Sequence, residues 1–291
     1  MELIDSFSSI LDKLVAQCCD PILVSFDVGG HSSRGFTDIG VSFLDSRLLT
    51  THNAENGSNP SIVTYHYVNR GRKEKRRYRR AKRRFRFGEP WFIAQADMLS
   101  LLTHMFCYDK CTTGPQAFNP FTLDTGGNHT STSSSPLPVQ AANRRPIILV
   151  GHDIHNDIRA VEGAGFIIDH HAPVEAVLDT QDIARELFQG TRTLGDLCYR
   201  LRIRAKNLHN SGNDATYTLL ALLKMGAAIL GARGSDDCSV PEFMQNLENI
   251  CLQNREQNSR KTQKISKDLT PSSEENDIYT LQSCYKIFEI V

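Results

Sequence analysis

Hydrophobic residues recur along this chain in blocks of two different periods. Over residues 3–18, Leu3, Phe7, Ile10, Leu11, Leu14 and Val15 fall at helical spacing, predicting a leading helix that stops before Pro21. Residues 22–28 form a short apolar run rich in β-branched side chains, bounded by Pro21 and by Gly29 and Gly30, and read as a buried strand. Residues 36–44 predict a second strand beyond a Gly/Ser turn, and 61–68, where Val63, Tyr65 and Tyr67 alternate, a third. Such neighbours make an antiparallel meander. The segment 91–106 reads as one amphipathic helix.

The second half changes rhythm. Residues 147–150 predict a compact strand, 153–163 a helix, and 177–179 open another short strand. Helical stretches follow at 181–189 and 193–201, and 213–230 is a strong helix with Ala215, Leu219, Leu222 and Leu223 on one side. A meander followed by alternating strands and helices is a mixed α/β pattern. Residues 112–143, rich in Ser, Thr, Gly, Asn and Pro, read as a disordered insertion. Beyond 231 the chain turns polar and reads as a largely disordered tail.

Composition narrows the class. Of 291 residues, 40% are hydrophobic and 23% charged, as expected for a globular protein. No uninterrupted apolar run reaches the roughly 18 residues that cross a bilayer, so no membrane partner is expected. Glu2, Asp5 and Asp12 interrupt the first twenty residues, unlike a secretory signal. The expectation is an intracellular protein of the nucleus or cytoplasm. Its eight cysteines lack paired C-x-x-C spacing; His104, Cys107 and Cys111 have no fourth ligand and read as packing residues.

Charge is unevenly spread. Residues 70–86 hold twelve Lys or Arg against the single acid Glu74, so with a formal net charge of zero the rest of the chain carries −11. Arg72, Lys73, Arg76, Arg77, Arg79, Arg80, Lys82, Arg83 and Arg84 are candidate nucleic-acid contacts, with Tyr78, Phe85 and Phe87 interleaved for stacking on bases. An import signal or a solvated loop are the other readings of such a run. A concentrated like charge is costly without a polyanion, which favours nucleic acid.

Three segments place acids at strand ends and helix starts: Phe26-Asp27-Val28-Gly29, the stretch 150–157 ending at Asp157, and the stretch 208–215 containing His209 and Asp214. Singly, each acid has an ordinary structural reading, and Ser211 or Asn213 would be a natural cap for the last helix. Together they suit two-cation phosphodiester hydrolysis, which needs clustered hard oxygen ligands.

The ordered set resembles motifs I, II and III of the DEDD-type 3′–5′ exonucleases, in the DEDDh subclass whose third motif is His-x4-Asp. Flanking phrases agree at 37–41, at Leu178-Asp179-Thr180 and over 194–203. Residues 87–89 and 209–219 further resemble a fungal branch linked to messenger-RNA export and DEAD-box helicase function. The resemblance covers about residues 20–228.

It implies a ribonuclease-H-like α/β domain over 21–230, with a mixed sheet (antiparallel meander plus parallel strands) flanked by helices, after an N-terminal helix in 1–20. It implies a site for two Mg or Mn ions held by Asp27, Asp157 and Asp214, with His209 taking a proton from the attacking water. RNA or single-stranded DNA is the implied substrate, and RNA-processing or export proteins the implied partners. One position departs. Motif I reads Asp-x-Glu in active members, whereas this chain has Gly29, with Asp38 on the neighbouring strand as the nearest candidate substitute ligand. The implied alternatives are therefore an active exonuclease and a catalytically defective relative that binds nucleic acid or protein.

Overall fold

The structure is a computed structural model that describes residues 2–15, 20–30, 35–49, 62–70, 84–106, 144–190 and 193–233. Six strands form one sheet: β1 (Ile22–Gly29), β2 (Asp38–Asp45), β3 (Val63–Asn69), β4 (Trp91–Ile93), β5 (Ile147–Gly151) and β6 (Val174–Asp179). Their order is β4-β3-β2-β1-β5-β6. β1, β2 and β3 are antiparallel to one another, whereas β4 joins β3, β5 joins β1 and β6 joins β5 in parallel. This mixed sheet flanked by helices is the ribonuclease-H-like architecture expected above.

Six α-helices complete the described part: α1 (Glu2–Val15), α2 (Met98–Phe106), α3 (Ile154–Gly163), α4 (Thr180–Phe188), α5 (Leu194–Arg200) and α6 (Ser211–Arg233). The strands feed two cores by simple alternation. Leu23, Leu44, Ile148 and Val150 point to the side covered by α1, α4, α5 and α6. Ile22, Val24, Phe26, Ile147 and Leu149 point to the side covered by α2 and α3. A fully buried side chain such as Phe26 contributes about 1.5–3 kcal/mol of burial free energy. β5 is apolar at every residue because both its faces are covered.

α6 sets the position of the third motif. Its 22-residue stretch 211–232 is apolar enough to cross a membrane by composition, yet 83% of its most apolar part is buried within the fold. Its first turns lie against β1, β2 and β3, held in register by a buried hydroxyl cluster in which Ser42, Thr64 and Thr216 lie 2.9–3.1 Å apart. The approach is close because Gly40 has no side chain: a Cβ there would overlap the Ser211 carbonyl. Gly212 has the same role on the helix, where a Cβ would stand 2.6 Å from the Phe85 ring and 2.7 Å from His66 Cβ.

Two expectations need correction. The segment 91–106 is not one helix: Trp91–Ile93 pairs in parallel with Tyr67–Asn69, a 3-10 turn follows, and the helix starts only at Met98. Three residues are too few for periodicity to separate strand from helix, and the distant partner strand decides. Phe85 does not present its ring for base stacking either. It is 1% exposed, packed against His66 with ring centroids 5.2 Å apart, and Phe87 packs edge-on against Tyr217 at 5.4 Å. The insertion 112–143, the tail beyond 233, Cys107, Cys111 and the basic residues from Arg72 to Arg83 lie outside the described residues.

Candidate active site

The three motif segments meet at one end of the sheet. Asp27 lies near the end of β1, directly across from Gly40 of β2. β5 ends beside it, and the turn into α3 brings Asp157 within reach: its Oδ1 accepts a 2.9 Å hydrogen bond from the Val28 amide. That turn is fixed by Asp179, at the end of β6, whose carboxylate accepts from the amides of Asp153, Ile154 and Gln181 at 3.0, 3.0 and 2.8 Å. One acid thereby caps the start of α4 and holds the start of α3, while Asp153 takes the left-handed conformation at φ 63°. His152, half-buried, bonds Thr180 Oγ1 at 3.0 Å, and His155 is exposed.

Asp214 lies in the first turn of α6, across from Asp27. The cap of this helix is Asn210, whose Oδ1 accepts from the Asn213 amide at 3.2 Å, and neither Ser211 nor Asn213. Asn213 is buried instead, accepting from the Arg86 amide at 2.9 Å and donating to the carbonyls of Arg84 and Asn207 at 2.8 and 3.0 Å. The amides of His209 and Asn210 face the Asp214 carboxylate, and His209, at φ 61°, is exposed at the rim.

The electrostatics are those of crowded acids. Burial, then the charge of Asp27, pushes Asp157 and Asp214 each up to about 8. Burial raises Asp27 to about 6, with a hydrogen bond from Ser211 opposing and the charge of Asp38 adding to the rise. Asp38 goes the other way. Burial works against its ionisation, but the hydrogen bond and charge of His66, with Thr37 and Ser211, hold it below the ordinary carboxylate value. His66 Nε2 lies 2.9 Å from Asp38 Oδ2, and Thr37 Oγ1 donates to Oδ1 at 2.7 Å.

Gly29 and Asp38 are direct cross-strand partners. A Cβ on Gly29 would overlap Asp38 Oδ1, with Asp38 Cγ only 2.9 Å away and Thr37 Oγ1 at 3.0 Å. The Asp38 carboxylate therefore occupies the room that a side chain at position 29 would enter. Ser211, read from the sequence only as a possible cap, and the buried His66, which no sequence signal marks, join the site; the register of β2 on β3 and the seat of α6 bring them there.

A hard divalent cation suits this donor set. The charge of Asp27 raises the pKa of both Asp157 and Asp214, and Asp214 Oδ1 is buried with no hydrogen-bond partner among the described residues. Among the described residues, no three His, Cys, Asp or Glu side chains form a group able to hold an ion in this arrangement, so closing a coordination shell requires side-chain movement.

No curated protein matches the chain. The family described as DNA polymerase III subunit epsilon-like, C-terminal domain, matches residues 22–225, from the first residue of β1 into α6. That span covers more than half of the 291 residues and contains every acid of the site. The chain belongs to this DEDDh exonuclease family.

Proposed function

We propose that the protein is a metal-dependent 3′–5′ exonuclease on RNA or single-stranded DNA in which Asp38 replaces the carboxylate missing at Gly29. The observation that carries this reading is the Asp38 carboxylate lodged where a side chain on Gly29 would lie. Asp27, Asp157 and Asp214 would hold Mg or Mn, with Asp38 as the fourth acid. Bound divalent cations supply the charge that orients water and stabilises the leaving oxygen. His209, exposed at the rim, takes the proton of the attacking water. Arg72, Lys73, Arg76, Arg77, Arg79, Arg80, Lys82, Arg83 and Arg84 hold the substrate backbone in this reading. Its partners would be RNA-processing or export proteins of the nucleus or cytoplasm, a proposal supported by the likeness of residues 87–89 and 209–219 to the fungal branch.

A second reading, a binding module without turnover, is favoured by one observation. Asp38 already receives hydrogen bonds from His66 and Thr37, leaving it less free to bind a cation. Degradation of 5′-labelled single-stranded RNA and DNA in manganese separates the two. The exonuclease reading expects shortening from the 3′ end that Asp214→Ala abolishes. Intact substrate, with salt-sensitive binding retained, would establish the binding module.

A further inference from the structure

Between α5 and α6 the chain runs through residues 201–210 with no regular secondary structure. Its apolar residues are anchored inward: Leu201 is 2% exposed, and Ile203, Ala205 and Leu208 pack against the core beneath α6. The alternate positions Arg202, Arg204 and Lys206 are exposed, following Arg200 at the end of α5. The Arg202 amide donates to the Tyr199 carbonyl at 3.1 Å and the Ala205 amide to the Ile203 carbonyl at 2.8 Å, so the segment is a succession of tight turns. Burying its apolar residues leaves the cations between them facing outward.

Three observations give this row a direction. Tyr199, at its head, is 86% exposed, and Arg200 beside it is steadied over the Phe188 ring at 5.9 Å. At the other end, Lys206 stands three residues before His209, whose amide faces Asp214. Asn207 Nδ2 donates to the Arg84 carbonyl at 3.1 Å, and Asn213 Nδ2 to the same carbonyl at 2.8 Å. The described end of the basic segment 70–86 is therefore pinned beside the row, next to the candidate site.

We propose that Arg200, Arg204 and Lys206, with Tyr199 at their head, form a track for the sugar-phosphate backbone of a single strand leading to the His209 side of the site. This rests on the nuclease reading above and adds the surface that receives the strand. Spaced cations contact phosphates without reading sequence, and an exposed aromatic stacks any base, which together suit a single strand.

The test uses the full chain, labelled 20-nucleotide single-stranded RNA and DNA, and fluorescence anisotropy in EDTA across a salt series. Arg200→Gln/Arg204→Gln/Lys206→Gln should weaken binding at least tenfold at about 0.1 M salt. It should also flatten the log–log salt slope by about 2, since each phosphate of a single strand that is no longer neutralised removes roughly 0.7. Tyr199→Ala should weaken binding about fivefold or more at an unchanged slope. These residues are surface residues, so unchanged circular dichroism and melting temperature serve as the folding control. A triple variant with the native slope and affinity overturns the track while leaving the nuclease reading intact. Competition by polyglutamate as strong as by unlabelled RNA also overturns it, since the row would then be a general anion surface. Absence of strand binding by the native chain overturns the track and the substrate assignment together. Calorimetric manganese binding, expected to be the same in native and triple variant, reads the carboxylate site separately.

Discussion

Installing the missing carboxylate is expected to fail unless Asp38 is removed with it. In Gly29→Glu the new Cβ overlaps Asp38 Oδ1 and stands 2.9 Å from its Cγ, so the carboxylate must swing away. The swing breaks the 2.9 Å bond to His66 and the 2.7 Å bond from Thr37. Hydrogen bonds to a charged group contribute about 1.5–3 kcal/mol each, and an unpaired buried polar group costs about 1–3 kcal/mol. His66 is 1% exposed and cannot turn to water, whereas the Asp38 side chain is 22% exposed and recovers part of its loss by hydration. The net cost is about 2–4 kcal/mol in the cation-free protein, a fall in melting temperature of about 5–15 °C at the usual 2–4 °C per kcal/mol for a body of this size.

Asp38→Ala alone leaves the buried His66 Nε2 without its partner and costs about 1–3 kcal/mol. The double variant has no overlap, so its cost should fall short of the sum of the singles by about 2 kcal/mol. Urea unfolding of the four proteins in EDTA measures this coupling, and manganese calorimetry should show binding lost in Asp38→Ala and restored in the double. Additive stability costs would refute the claim that Asp38 fills the space at Gly29. Native manganese affinity in Asp38→Ala would refute its role as the substitute ligand.

Three further outcomes are expected. Asp27 at about 6 and Asp157 and Asp214 at about 8 lie above the ordinary 3.8, so the folded chain keeps protons that the unfolded chain releases. Stability from these groups is full below about pH 4 and is lost as pH rises through about 6 to 8, so melting in EDTA should fall over that window while stabilisation by manganese grows; an equal manganese shift at pH 5.5 and 8 would contradict this. Gly40→Ala should lift α6 from β2, lower stability by about 1–3 kcal/mol or more and weaken manganese binding, whereas a native melting curve would show that the close approach is dispensable. At the opposite end of β2, Arg145 and Asp45 form an ion pair at 2.7 Å with side chains 1% and 2% exposed. Arg145→Met should cost about 1.5–3 kcal/mol, because Asp45 loses its buried partner and keeps only Arg47, at 2.6 Å. In the native chain, burial opposes Asp45 ionisation but Arg145 and Arg47 hold its pKa down at about 2, so its contribution is present above about pH 4 and lost as pH falls toward 2; acid melting profiles of native and variant should converge there.

Much of the fold was legible because local pattern suffices for it. The apolar run of β1, the doubly buried β5 and the long α6 announce themselves by period and length, and the order Asp27, Asp157, His209, Asp214 carries the family. Aromatic residues among arginines imitate a base-stacking surface, but Phe85 is buried against His66 through contacts that no local window contains. The strand at Trp91 and the Asn210 cap were missed for the same reason: a three-residue strand is defined by its partner, and a cap by where the helix starts.

Gly29 marks the boundary between the two kinds of information. By itself the sequence determined that a motif I carboxylate is absent and that Asp38 is near along the chain. Only the tertiary structure decided what fills the space. Antiparallel register sets Asp38 opposite Gly29, the diagonal placement of His66 on β3 holds the carboxylate inward, and Gly40 lets α6 bring Ser211 and Asp214 against it. Register and close approach are relations between segments distant in sequence, so they are set by packing and cross-strand hydrogen bonding, which local periodicity does not encode.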